Sequence, residues 1–207
     1  MLRIRLVTVS SLIIVVAATV FAQRKSDQPD LLRPYTICEF DDGLKVVKSE
    51  RLSRKEVFSR SVETADGFKE VTRIDSYRMF VAYPKTDAFA NIRPEKSKPD
   101  GYAQDKENVI EDLRYSISIG KEMEFSEPRR AIYNGFESYG LNRRTVEVGT
   151  TVGIYVLFND TAQTITTIYF FNASPKKRKF QTIEEWRALK ENFLENYTRC
   201  INRNSNR

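Results

Sequence analysis

Residues 151–172 read TVGIYVLFNDTAQTITTIYFFN, which is two apolar runs joined by a short polar linker. Such a linker between two strand-like runs predicts a β-hairpin. A strand with one face in water alternates apolar and polar residues, whereas residues 154–158 are apolar without a break. Both faces of this hairpin must therefore be buried against other parts of the protein, and the fold prediction starts from this requirement.

Two amphipathic helices are predicted to supply that cover. The first spans about residues 105–117, where apolar residues recur four apart. The second closes the chain, where Thr182 and Glu185 form a Ser/Thr-x-x-Glu capping box before a periodic apolar run. The predicted fold is therefore α+β, an antiparallel β-sheet flanked by helices on both faces, or α/β/α sandwich. The alternative is an exposed aromatic binding face.

The chain begins with the pattern of a secretory signal peptide. Arg3 and Arg5 precede an apolar stretch at 6–18, and a small-residue cleavage pattern ends at Ala22. Cleavage after Ala22 predicts a secreted or periplasmic protein, and the chain looks bacterial. The alternative is an uncleaved anchor, because the apolar stretch approaches the length of about 17 residues that spans a membrane.

The predicted organisation is one domain behind that signal. Cleavage leaves 185 residues, close to the size of a domain with a single core. The polar, proline-bearing residues 23–36 predict a flexible segment. A single α+β domain is expected at 37–201 and a disordered tail at 202–207.

Two cysteines, Cys38 and Cys200, remain after cleavage. An oxidising compartment makes a disulfide between them the expected state, and the alternative is two free or intermolecular thiols. The chain contains no histidine, which excludes Ser-His-Asp and Cys-His catalysis and histidine-rich metal sites.

Carboxylate chemistry is what remains for an enzyme. The candidates are Glu122, Glu124 and Glu127 in one group and Glu107, Glu111 and Asp112 in another. Their alternate or helical spacing is more typical of a solvated face than of an acid/base pair. We therefore predict no catalytic residue, no metal site and no cofactor.

Basic residues form the candidate site for an acidic partner. They are Arg129, Arg130, Arg143, Arg144, Lys176, Lys177, Arg178 and Lys179. If they converge, they suit an acidic envelope protein, an anionic lipid or a polysaccharide, whereas export argues against nucleic acid. Adjacent strand residues point to opposite faces, so at most one arginine of each pair is expected in a given patch. The alternative is an ordinary solvated surface.

The order of elements over residues 76–200 resembles that of the PsbP-type extrinsic photosystem proteins. The segments that carry the resemblance are SYRMFVAYP, DKENVIEDLRYSI, NGFESYGLNRR, the hairpin and FQTIEEWRALKENFLENY. The stretch is also similar to uncharacterised secreted bacterial proteins. The resemblance implies the α/β/α sandwich and a non-catalytic binding or assembly role, and no functional residue transfers.

The predicted function is that of a non-catalytic extracytoplasmic binding or accessory protein. Two alternatives from other classes stay open. One is a histidine-free hydrolase or lyase that uses paired carboxylates, and the other is an envelope structural protein.

Overall fold

The structure is a computed structural model, and it describes residues 30–40, 43–52, 58–82, 88–145, 150–172 and 180–206. The predicted signal peptide lies outside the described residues. The helices are α1 (Arg33–Thr36), α2 (Tyr102–Ile119) and α3 (Ile183–Ser205). The strands are β1 (Lys45–Arg51), β2 (Phe58–Thr64), β3 (Gly67–Ala82), β4 (Ala88–Ser97), β5 (Arg129–Tyr133), β6 (Phe136–Asn142), β7 (Thr150–Asn159) and β8 (Thr164–Asn172).

The predicted hairpin lies inside one large antiparallel sheet. Strands β7 and β8 pair with each other and stand between β6 and β4 in the order β1-β3-β4-β8-β7-β6-β5, while β2 pairs with β3 beside this path. Within the hairpin Ile154 is opposite Tyr169, and Tyr155 is opposite Ile168. Neighbouring residues therefore face opposite sides of the sheet, as their unbroken apolar run predicts.

Two apolar clusters take alternate residues of β7. Tyr155 and Leu157 belong to a large cluster with Trp186, Phe193 and other residues of α3. Val156 and Phe158 belong to a second cluster that contains residues of α2. The hairpin is thus buried on both sides, which agrees with its sequence pattern.

The predicted α/β/α sandwich is nevertheless wrong. Eight antiparallel strands dominate the structure, and among the described residues the long helices are only two. The backbone of α2 lies against β2 and β3, and that of α3 lies against β5, so the helices sit toward the edges of the sheet instead of forming layers that flank both faces. The physical reason is the extent of the sheet, because residues 45–75 supply β1, β2 and much of the 16-residue β3.

The ends of both long helices follow local chemistry. The predicted capping box is present, with Thr182 accepting from the Glu185 N–H and Glu185 reaching back to the N-cap backbone. Helix α2 begins at Tyr102, earlier than the predicted start near residue 105. Asp105 is buried inside the first turn, where its carboxylate accepts the backbone N–H of Thr72 at 2.9 Å. Its side chain therefore ties the helix to β3.

The packed domain begins at an earlier residue than the predicted start at residue 37. Leu32 and Tyr35 are buried in the α3 cluster, although 23–36 was expected to be flexible. Tyr35 accepts a hydrogen bond from the Tyr197 hydroxyl through its backbone carbonyl, at 3.2 Å. At the other end, α3 continues to Ser205, so residues 202–205 of the expected tail are helical.

The disulfide predicted between Cys38 and Cys200 is present. It joins residues 162 positions apart in sequence, with their Cα atoms separated by 5.7 Å. Both half-cystines are buried beside the contact between α1 and α3. The bond therefore ties the first packed segment of the domain to its last helix.

Loss of this bond is expected to lower stability strongly. The Cys38→Ser/Cys200→Ser double variant should lose about 2–5 kcal/mol of unfolding free energy, because its unfolded chain is no longer closed into a long loop. Urea unfolding with and without reductant measures the loss. Reductant should lower the midpoint of the wild type and leave that of the double variant unchanged; equal midpoints for the wild type in both conditions would contradict the prediction.

Candidate functional site

A cleft lies between the edge hairpin β5–β6 and helix α3, and its volume is about 550 Å³. Both the sheet and the helix contribute aromatic and charged side chains to it. The lining residues are Glu124, Phe125, Arg129, Arg130, Ala131, Tyr133, Asn142, Tyr155, Arg187, Lys190 and Glu191. Four of them are cationic and two are acidic, so the described lining carries an excess of positive charge.

Tyr155 lies at the base of the cleft because its neighbour in β6 has no side chain. Gly140 is directly opposite Tyr155 in the β6–β7 pairing. A Cβ atom at Gly140 would overlap the Tyr155 ring. The ring is buried, its hydroxyl donates to Asn142 Oδ1 at 2.7 Å, and Lys190 Nζ lies 4.9 Å from its centroid.

A chain of polar contacts continues from Tyr155 to the mouth of the cleft. The Asn142 amide nitrogen donates to Glu124 Oε2 at 2.9 Å. The other oxygen of Glu124 pairs with the guanidinium of Arg187. Since Asn142 both accepts from Tyr155 and donates to Glu124, its amide orientation is set at each end.

A second set of contacts surrounds Lys190, which is buried. Its ammonium group pairs with Glu191, whose other oxygen accepts the hydroxyl of Tyr133 at 2.7 Å. Burial opposes the charged form of Lys190, but Tyr155 and Glu191 outweigh it, and the pKa of the ammonium group is raised. The group thus carries its charge at neutral pH.

The two phenols of the cleft act as hydrogen-bond donors. Burial raises the pKa of Tyr155, against the opposing effect of Lys190. Burial and then the hydrogen bond to Glu191 raise the pKa of Tyr133 as well. Both hydroxyls are therefore protonated at neutral pH, which matches the contacts they make.

Arg129 differs from the other cations of the cleft. Its guanidinium carbon lies 3.8 Å from the centroid of the Phe125 ring, and no described carboxylate pairs with it. By contrast, Arg130 pairs with Glu137 at 2.5 Å. Arg129 is exposed at the mouth of the cleft, so its charge is available to a ligand.

The structure brings together part of the predicted basic patch. Arg129 and Arg130 both line the cleft, although their side chains were expected to separate; β5 is an edge strand, so both remain near its rim. Arg143 and Arg144 do not line it, and Arg144 Nε donates to the carbonyl of Met123 at 2.8 Å. The predicted basic residues 176–179 lie outside the described residues.

Sequence reasoning missed the cleft residues that α3 supplies. Lys190 follows Trp186 by four positions and precedes Leu194 by four, so it sits within the apolar stripe of the helix. A lysine in that stripe is a signal of a buried charge. Tyr133 and Tyr155 gave no such signal, because apolar burial alone explains an aromatic residue in a strand.

The predicted carboxylate groups do not form an acid/base pair in the cleft. Of the six candidates, Glu124 alone lines it. Glu111 and Glu127 both bind Arg114 elsewhere, and Asp112 accepts the backbone N–H of Glu63 at 3.0 Å. Within the described ranges no group of three histidine, cysteine, aspartate or glutamate residues is arranged to hold a metal ion.

The comparisons with known proteins identify no relative. No family model, no curated protein and no solved structure matches the chain. The resemblance to the PsbP-type proteins therefore stays a prediction. No helix in the described part of the chain is long and apolar enough to cross a membrane.

The contact between Gly140 and Tyr155 predicts a sensitive position. Gly140→Ala should cost about 1–3 kcal/mol of unfolding free energy, because the added methyl group displaces a buried ring. Urea unfolding measures the cost, and near-UV circular dichroism reports the tyrosine environment. Gly101→Ala is the matched control, since a Cβ there meets its nearest atom at 3.6 Å. Equal losses in the two variants would argue against a tight contact at Gly140.

Proposed function

We propose that this protein is a non-catalytic extracytoplasmic binding protein, and that its cleft takes a ligand bearing a carboxylate group. The observation that carries the proposal is Arg129, an exposed guanidinium at the mouth of the cleft without a described carboxylate partner. Arginine presents planar paired donors, which match the two oxygens of a carboxylate.

The contacts deeper in the cleft support binding of an anion. Lys190 retains its charge although buried, and its ammonium group pairs with the half-exposed Glu191. Tyr133 and Phe125 add aromatic surface beside the charged groups. Small-ligand sites usually combine apolar walls with a few positioned polar groups, and this cleft is richer in charge than that form, which suits a charged ligand.

The same contacts favour binding over hydrolysis by paired carboxylates. A general acid needs a carboxyl group that holds its proton near neutral pH. Glu124 instead pairs with Arg187 and Asn142, and Glu191 pairs with Lys190 and Tyr133. Both carboxylates are therefore already engaged by cations and neutral donors of the cleft.

The extracytoplasmic location is supported by the disulfide between Cys38 and Cys200. Such bonds persist in secreted and periplasmic proteins and are rare in a reducing cytosol. The N-terminal sequence pattern with cleavage after Ala22 points to the same compartment.

Charge reversal at the mouth of the cleft tests the binding proposal. The wild type should bind N-acetylglutamate in preference to N-acetylglutaminamide, in which amides replace both carboxylate groups, so that the shape is kept without the charge. Arg129→Glu should weaken binding of N-acetylglutamate by about tenfold or more, equal to about 1.4 kcal/mol. Titration followed by NMR chemical shifts measures both affinities.

Arg199→Glu supplies the matched control. Arg199 is an exposed residue of α3 outside the cleft, and its guanidinium contacts Asn196 at 3.3 Å. Binding should be unchanged in that variant, and both variants should unfold at nearly the wild-type temperature. Equal binding of the charged and neutral probes, or equal weakening by the two variants, would refute an anion site at Arg129.

A further inference from the structure

We infer that the open edge of β5 receives an extended acidic peptide segment as an added strand, whose acidic side chains enter the cleft. This inference rests on the proposed function and names the class of its ligand. It depends on two further observations, the direction of the β5 backbone groups and the exposed side chains along that edge.

Strand β5 is the last strand of the sheet order, and its outer side pairs with no described strand. Tyr133 flanks the two-residue turn to β6, so it forms a hydrogen-bonded pair with that strand. Ala131 and Arg129 lie two and four residues before Tyr133, so their backbone N–H and C=O groups also point toward β6. Arg130 and Ile132 alternate with them, and their N–H and C=O groups therefore face outward.

The turn beside this edge is held in place. Asn134 and Gly135 adopt positive φ values of 49° and 88°, as a two-residue hairpin turn requires. The Asn134 side chain donates to the carbonyl of Glu195 and to the Thr198 hydroxyl, both at 2.9 Å, and Asn202 donates to the Asn134 carbonyl at 2.8 Å. Helix α3 thus anchors β5, and the outward groups form a pre-organised edge.

The two sides of this edge differ in chemistry. Ile132 is 65% exposed and lies on the side away from Arg129, together with Arg130, whose guanidinium pairs with Glu137. Arg129, Ala131 and Tyr133 line the cleft on the other side. An added strand places alternate residues on the two sides. The matching segment therefore alternates acidic residues, which face the cleft, with apolar residues, which lie beside Ile132.

Charge selects a foreign acidic segment over a second copy of this chain. Two β5 strands paired edge to edge would bring Arg129 and Arg130 of each copy toward those of the other. Like charges placed close together across strands are destabilising. An acidic segment instead meets Arg129 with opposite charge and continues into the cleft, while Arg130 on the other side keeps its pairing with Glu137.

A peptide of alternating glutamate and valine, about eight residues long and blocked at both ends, is the probe. It should bind about tenfold or more tightly than N-acetylglutamate, because backbone pairing adds to the carboxylate contact. A peptide of the same composition with its glutamates in one block should bind about tenfold more weakly than the alternating one. Calorimetry at one fixed salt concentration measures all three affinities.

Ile132→Pro tests the edge itself. Proline removes the outward N–H of residue 132 and leaves the pairing of β5 with β6 intact. The variant should lose about tenfold in affinity for the alternating peptide, while its affinity for N-acetylglutamate stays that of the wild type. Ile132→Val retains the N–H and should keep peptide binding within about twofold of the wild type.

N-methylated peptides test the same strand addition with the wild-type protein. One peptide is methylated on every valine nitrogen and the other on every glutamate nitrogen. Since alternate N–H groups of a strand point to opposite sides, one of the two should lose binding and the other should retain it. Equal affinities of these two peptides would overturn the inference.

The outcomes separate this inference from the proposed function. If N-acetylglutamate binds and the alternating peptide binds no more tightly, the edge inference fails and the carboxylate site stands. If neither binds, both fail. Self-association of the protein that Ile132→Pro abolishes would also overturn the inference, because the edge would then be filled by a second copy.

Discussion

Burial of the β7–β8 hairpin on both faces is the constraint on which the rest of the structure depends. Consecutive residues such as Tyr155 and Val156 enter different apolar clusters. A shift of one residue in the pairing would move every side chain of the strand to the wrong cluster. The register is therefore strongly specified, and the neighbouring strands β4 and β6 inherit it through their own pairing with the hairpin.

That register also makes room for the cleft. It sets Gly140 opposite Tyr155, so the ring lies across bare backbone. On β7 itself, a Cβ at Gly153 would lie 2.8 Å from Trp186 of α3. The two glycines allow a ring and a helix to approach the sheet closely. As a result, Lys190 of α3 lies over the Tyr155 ring, where it forms the polar part of the cleft with its neighbours.

The polar part of the cleft shows how a buried charge is tolerated. Lys190 is desolvated by burial, and the interactions with Tyr155 and Glu191 more than offset that cost. Each polar group of the set accepts or donates to a neighbour, as a buried network requires. Arg129 stands outside this internal pairing and keeps its charge for a ligand. The internal pairs hold the cleft in shape, and the proposed carboxylate contact falls to Arg129, the cation outside them.

Local patterns predicted much of the chain well. The double-faced apolar runs predicted the hairpin, and the box of Thr182 and Glu185 predicted the start of α3. The cysteine count, together with the export that the N-terminal pattern predicts, indicated the pair Cys38 and Cys200. Each of these follows from residues close in sequence, or from the small number of possible partners. The size of the sheet was not predictable in this way, because residues 45–75 alternate irregularly and show their strand character only when paired with β3.

The sequence by itself determined that the hairpin has two buried faces, that a capped helix closes the chain, and that basic residues surround the central strand. Only the tertiary structure decided that the helices lie at the margins of a large sheet and that Arg129 shares a cleft with Lys190. The reason is distance along the chain. Strand period and capping act within a few residues, whereas a cleft forms where segments about 60 residues apart are brought together by the packing of the whole domain.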